Sequence, residues 1–492
     1  MLIFVIFIMS KQYRIIRKEH KIMEAELEEK RLVLVSNGEP YKHVFKNQNI
    51  EIEKLAGGLT TGLDPMMKKD KGIWIAWGRG EADFEVVDQN NKVMVPDTEG
   101  YPLKRVNLTE KEKNNFYYGF ANEVMWPISH TFISKANFKE DYWQSYQKVN
   151  RKYANSIKEE LQEDDLVWIH DYHLALVPGL LKESSAKTSL FWHIPWPAWE
   201  AFRTIPWRQE ILEAMLASDF LAFHTDLFVY NFLNCAKKIG AEVDFSAKEI
   251  FYQGSKTKVE SVPLGIDYQR FNNLAQDEEY LKEAEAVKAS YDTEKLIFAV
   301  DRLDYTKGIE ERLKGVDNFF EKYPEYQTEV TFVQRVAPSR TGIEEYQQMK
   351  EDIEKKVAEI NGKYQKDQWV PVKYFYGSVP QAELLPYYKA ADLALITALI
   401  DGMNLVAKEY LAVQDSGVLL LSEFAGAAEY LDSALKVNPY NTEALADKIY
   451  QGLEMSETEK KKRLQKAKVD LKEYDINWWR DYFLKKWVES YE

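Results

Sequence analysis

Short β-branched runs recur along the chain, and each gives way to a polar loop. Arg31–Ser36 (RLVLVS), Leu166–His170 (LVWIH) and Thr188–Trp192 (TSLFW) read as buried strands. Helical stretches lie between them, for example Asp141–Gln162. The pattern restarts after Val262–Ile266 with Leu296–Val300, Val330–Val333, Val372–Phe375, Leu393–Ile396 and Val418–Leu421. Strand alternating with helix predicts parallel sheets covered on both faces. We therefore expect two Rossmann-like α/β units, over residues 31–265 and 266–474. Ligands of such sheets bind outside the carboxyl ends of the strands, so two facing units would share a cleft. Residues 475–492 predict an aromatic-rich helix that packs back on the first unit, and residues 1–30 read as an N-terminal arm.

Composition narrows the function classes. The chain has 492 residues, 45% of them apolar, enough for a real core in each of two or three domains. The net charge of −14 disfavours nucleic acid as a partner, and any phosphate-bearing ligand must be held by local cations. The single cysteine, Cys235, excludes a disulfide framework and a cysteine metal site and fits a cytoplasmic location. The run Met1–Met9 is too short to span a bilayer, and the basic Lys11, Arg14 and Arg17 follow it instead of preceding it. A start assigned upstream of Met9 is the expected reading, with a short membrane-touching anchor as the alternative. A homo-oligomer is left open.

Several strand ends carry candidate chemistry. In Asp301–Gly308 (DRLDYTKG), Arg302 and Lys307 stand five residues apart just after a strand. Fixed cations there would neutralise a nucleoside diphosphate as it leaves; the ordinary alternative is two surface cations in weak ion pairs. Asp401–Glu409 (DGMNLVAKE) opens a helix, whose N–H groups could meet sugar hydroxyls or phosphate. Glu409 lies about two turns along that helix and could accept the hydroxyls of a ribose; the alternative is an ordinary turn with an aspartate cap. Gly57–Gly58 could cradle a phosphate, although such a pair is more often a turn. His170, Asp171, His173 and His193 invite a metal reading, but their spacing is not a compact ligand set. No two aspartates are separated by a single residue, so the Asp-x-Asp pair of metal-dependent transferases is absent and no metal is expected. Arg340 follows another strand, and Trp77, Tyr117 and Trp126 offer aromatic walls.

Taken in order, Tyr118–Asn122 with Trp126-Pro127, His170–His173, Arg302–Gly308, Asp401–Glu409 and Ser422–Ala428 resemble trehalose-6-phosphate synthases, a family whose near relatives make glucosylglycerol phosphate. The resemblance runs from about residue 31 to residue 486. It implies a two-domain GT-B fold, a nucleotide-glucose donor (UDP-, GDP- or ADP-glucose), glucose 6-phosphate as acceptor, retention at the anomeric carbon and no cofactor. It also implies an internal-return reaction, in which the leaving phosphate helps to deprotonate the acceptor. Carried over by position, Gly58, Arg302 and Lys307 would hold the diphosphate. Asp401, Gly402, Met403, Asn404, Leu405 and Val406 would hold the donor sugar with His193, and Glu409 the ribose. Trp77, Tyr117, Trp126, Asp171 and Arg340 would line the acceptor. Two departures bear on the acceptor. Gly38 stands where an arginine is usual, for which Lys42 is the expected substitute in a rebuilt loop freed by that glycine, and Thr397–Ile400 lacks the usual proline and arginine. The alternatives are another phosphorylated acceptor such as glycerol 3-phosphate, and a non-catalytic regulatory scaffold.

Overall fold

The computed structural model describes residues 30–55, 58–69, 72–291, 293–340 and 344–491, so all of the expected arm except Lys30 lies outside the described residues. Two sheets organise the rest. The larger has ten strands in the spatial order Glu242–Asp244, Glu249–Tyr252, Ser255–Ser261, Phe220–Phe223, Lys187–Phe191, Leu166–His170, Leu32–Gly38, Ile73–Trp77, Tyr101–Val106 and Lys92–Val95. Its centre is parallel and its two edges are antiparallel. The smaller has six strands, all parallel, in the order Val372–Tyr376, Val330–Ala337, Lys295–Arg302, Leu393–Ile396, Val418–Ser422 and Leu435–Val437.

Apart from Val372–Tyr376, the parallel edge of the smaller sheet, the apolar runs read from the sequence are inner parallel strands, where both faces are covered and alternation disappears. Every residue of Ile73–Trp77 and of Leu166–His170 is buried. The antiparallel edges, half exposed, lack that signature and escape the sequence pattern. A separate two-stranded hairpin, Tyr41–Lys46 with Asn49–Lys54, projects beside the larger sheet.

The last helix, Ile476–Glu489, starts at Asp475, whose carboxylate accepts the Asn477 and Trp478 N–H groups at 2.9 and 2.8 Å. It returns across the larger sheet. Trp479, Phe483 and Trp487 are fully buried with Leu34, Trp74 and Phe220, and the Phe483 ring stacks on Trp168 at 4.2 Å. Truncating so large a buried ring leaves a cavity that the rigid sheet cannot fill. Trp479→Ala is therefore expected to destabilise the protein by about 3–5 kcal/mol in chemical denaturation.

Candidate functional site

Seven parallel strands, four from the larger sheet and three from the smaller, direct their carboxyl ends at one cavity of about 460 Å³, a size suited to a small-molecule site. From the larger sheet come Ser36, Asn37 and Gly38, then Arg79, then His170 to His173, then His193. From the smaller come Arg302 with Lys307, then Arg340, then Asp401 with Gly402. Tyr117, Asn122 and Trp126 close one side. The first two sit on Lys113–Met125, which winds as a π-helix, a rare geometry frequent at functional sites.

The smaller sheet supplies three cations. Lys307 ends a short turn capped by Asp304, and its ammonium lies 2.7 Å from the Asp401 carboxylate. Arg302 is exposed, with its guanidinium 5.7 Å from the Trp126 ring. Arg340 lies closer to that ring, at 4.2 Å, so Trp126 carries two guanidinium groups. Arg340 is itself fixed by Asp304 at 2.6 Å, by Asn122 at 2.9 Å and by the Tyr346 hydroxyl. Its bond to Asn122 ties the two halves of the cavity together.

Charge is set by burial and by these cations. Burial pushes the Asp401 carboxyl up, but Lys307 and then Asn404 more than offset it and hold it below the usual range. Asp304 is likewise raised by burial and brought below its usual value by Arg340, Arg302 and Lys307. Asp171 has no such neighbour, and burial pushes it up to about 7. Its carboxyl can then both donate and accept near neutral pH. Burial holds His170 and His173 down at about 3, and His193 also well below its usual value, so these imidazoles are neutral. Among the described residues no group of three or more His, Cys, Asp or Glu side chains is placed to hold a metal.

Two features mark the cavity as built for a ligand. Asp171 and Arg340 in its lining adopt φ of 74° and 48°, backbone strain that concentrates at functional sites. The lining residues Asn37, Trp126, His170 and His173 also carry buried polar atoms without a partner among the described residues. Hydroxyl-rich ligands supply such partners. The sheets meet closely at Gly402, where a Cβ would lie 2.4 Å from the His193 carbonyl oxygen.

The cavity thus gathers Tyr117, Trp126, Asp171, His193, Arg302, Lys307, Arg340, Asp401 and Gly402 from the sequence-derived set. Trp77, Met403, Asn404, Leu405, Val406 and Glu409 are not among its lining residues. Trp77 is buried one layer behind, 5.7 Å from Tyr117. Gly58 begins the helix Gly58–Lys69 instead of lying in a loop, and Gly57 is outside the described residues. Met403 is buried, and Asn404, not Asp401, caps the helix Leu405–Val413 by accepting the Ala407 N–H at 3.1 Å. Leu405 and Val406 form the first turn of that helix. Glu409, raised to about 7 by burial, accepts from Gln381 at 3.2 Å and Tyr388 at 3.4 Å.

Lys42 is a correction. It sits on the projecting hairpin, 2.9 Å from Glu53, and is not part of the cavity lining. The hairpin register pairs Lys42 directly with Glu53, so its charge is spent locally. Nor does Gly38 serve a positive-φ turn: it ends a regular strand with a bulge. What its missing side chain leaves room for is Arg79, whose Nη2 would lie 3.0 Å from a Cβ at position 38. Arg79, Asn122 and His130 are cavity residues that the sequence reading missed. The signal for Arg79 was the apolar run Ile73–Trp77, a strand whose carboxyl end is Gly-Arg-Gly.

The profile of glycosyltransferase family 20 matches residues 30–489. A bifunctional trehalose-6-phosphate synthase/phosphatase of Thermoproteus tenax is 36% identical over 92% of this chain, which spans only 63% of that protein's length. A UDP-forming α,α-trehalose-phosphate synthase of Candida albicans is 33% identical over 93% of this chain and 97% of its own. Among solved structures, a UDP-forming α,α-trehalose-phosphate synthase from Burkholderia xenovorans in complex with glucose-6-phosphate superposes with a TM-score of 0.83 at 30% identity, covering 93% of this chain and 100% of that one. This likeness and the two facing sheets bear out the GT-B expectation.

Proposed function

The chain belongs to glycosyltransferase family 20, and from that premise we propose that it transfers glucose from UDP-glucose to glucose 6-phosphate with retention, forming α,α-trehalose 6-phosphate. The observation that carries this reading is the convergence of Arg302, Lys307 and Asp401 with Tyr117, Trp126, Asp171 and Arg340 around one cavity. A sugar nucleotide and a phosphorylated sugar need anchoring cations, hydroxyl partners and flat apolar faces together, and this cavity offers all three. UDP is favoured over other donors because the Candida and Burkholderia relatives are UDP-forming.

In this reading Arg302 and Lys307 take the charge that develops on the β-phosphate. Asp401, which Lys307 and Asn404 orient at 2.7 and 3.0 Å, accepts from donor hydroxyls, beside the N–H groups of the helix Leu405–Val413. The bond from the glucosyl C1 to the β-phosphate oxygen breaks. The acceptor's anomeric hydroxyl then bonds to C1 on the same face, and its proton passes to the leaving phosphate. No protein nucleophile is required, and Asp171 near pKa 7 orients the acceptor through bonds of either sense.

The test is a matrix of UDP-, GDP- and ADP-glucose against glucose 6-phosphate, glycerol 3-phosphate and unphosphorylated glucose. Trehalose 6-phosphate from UDP-glucose as the fastest product is expected. Faster transfer to glycerol 3-phosphate would replace the acceptor, and no transfer at all would favour a scaffold. Because the leaving group is neutralised by side chains, treatment with a chelator is expected to leave most of the activity. Loss restored by one divalent metal would contradict the role given to Arg302 and Lys307.

A further inference from the structure

The cavity has a cation whose purpose the reaction chemistry does not yet explain. Of its four basic residues, Lys307 is paired with Asp401 and Arg340 with Asp304. Arg302 and Arg79 have no carboxylate partner among the described residues, and both are exposed. Arg302 belongs to the smaller sheet, where the donor diphosphate is assigned. Arg79 belongs to the larger sheet, at the end of the strand next to Gly38. An unpaired guanidinium in the cavity of a protein of net charge −14 calls for an anionic ligand group.

Arg79 is also held in place. Its own N–H donates to the Glu39 carboxyl at 2.9 Å, and the N–H of Gly80 donates to Asp83 at 2.6 Å. Arg105, fully buried, clamps those two acids together, 3.1 Å from Glu39 and 2.9 Å from Asp83. The backbone on either side of the Arg79 α-carbon is therefore pinned to a buried ionic network, while the side chain is left free. The guanidinium lies over the Trp77 ring, 5.9 Å from its centroid, and against the bare α-carbon of Gly38. Any side chain at position 38 would contest that space.

We infer that Arg79 is the residue of the larger sheet that binds the phosphate of the acceptor, with Gly38 kept bare to admit it. The inference rests on the proposed transfer to a phosphorylated acceptor and adds the residue that selects for that phosphate. Its fork of donors suits two phosphate oxygens at once, which a lysine cannot reproduce. Arg340 remains the cation on the opposite wall.

The experiment compares wild type, Arg79→Ala, Arg79→Lys and Gly38→Arg/Arg79→Ala. It measures KM for each substrate and calorimetric Kd for glucose 6-phosphate, glycerol 3-phosphate and inorganic phosphate in the presence of UDP. For Arg79→Ala, Kd and KM of the phosphorylated acceptor are expected to rise roughly tenfold to a hundredfold. KM for the donor should stay unchanged, which separates a binding role from a structural one. Arg79→Lys should fall between, and the double variant, which returns a guanidinium to the same wall, should recover affinity. Wild-type acceptor affinity in Arg79→Ala overturns the inference even where the matrix upholds transfer to glucose 6-phosphate. If wild type instead prefers glycerol 3-phosphate, the same variants read on that acceptor decide it, and preference for unphosphorylated glucose overturns it outright.

Discussion

Arg302→Ala is expected to lower kcat on the order of a hundredfold or more, the usual cost of removing one fixed charge from a developing anion. Its melting temperature should stay near that of wild type, because Arg302 is exposed and has no ion-pair partner among the described residues. Lys307→Ala should show an equal or larger fall in rate and should lose stability as well. Its ammonium is the counterion of Asp401, a carboxylate whose side chain is only 16% exposed. Removing one member of such a pair leaves a poorly solvated charge without compensation. The two variants therefore separate rate from folding, read by single-turnover kinetics beside thermal melts. Near-normal turnover in both would remove the leaving-group assignment.

Gly402→Ala is expected to cost on the order of a hundredfold in kcat/KM although it adds only one methyl group. The new Cβ would lie 2.4 Å from the His193 carbonyl oxygen and 3.1 Å from the Ile194 α-carbon. Both neighbours are backbone atoms just beyond the central strand Lys187–Phe191, so neither can swing aside as a side chain would. The halves of the cavity must then separate, which shifts Asp401 and Lys307 relative to Tyr117 and Asp171. Reacting groups misplaced by about an ångström lose most of the advantage of proximity. Catalysis should suffer much more than thermal stability, since each sheet keeps its own core. A Gly402→Ala enzyme with wild-type kcat/KM would show that this approach is not needed for transfer.

The sequence was most legible where physics is local. Leu166–His170 and Leu393–Ile396 are strands at the very bounds read from the sequence, because a strand buried on both faces shows as one short run with no exposed polar alternation inside it. Arg302, Lys307, Asp401 and Gly402 were found because they follow such strands directly, and a parallel sheet sends its carboxyl ends to the ligand side. The antiparallel edge strands of the larger sheet and the hairpin Tyr41–Lys54 were not found, since exposed strands carry mixed patterns, and the buried central strands Ile73–Trp77 and Phe220–Phe223 were missed although their apolar runs carry the signal. Missing that hairpin is what made Lys42 look available.

By itself, then, the sequence determined two α/β sheets with parallel centres, the strand ends that carry Arg302, Lys307 and Asp401, and an acidic chain that must keep dedicated basic residues for any phosphate. Only the tertiary structure decided which basic residue stands beside Gly38. Lys42 is four positions away along the chain, yet the hairpin turns it toward Glu53. Arg79 is forty-one positions away, yet the parallel pairing of Leu32–Gly38 with Ile73–Trp77 sets it against the same α-carbon. Periodicity and composition report how each segment is solvated. Which side chains share a cavity depends on strand order and register, and these are fixed by contacts between segments far apart in the chain.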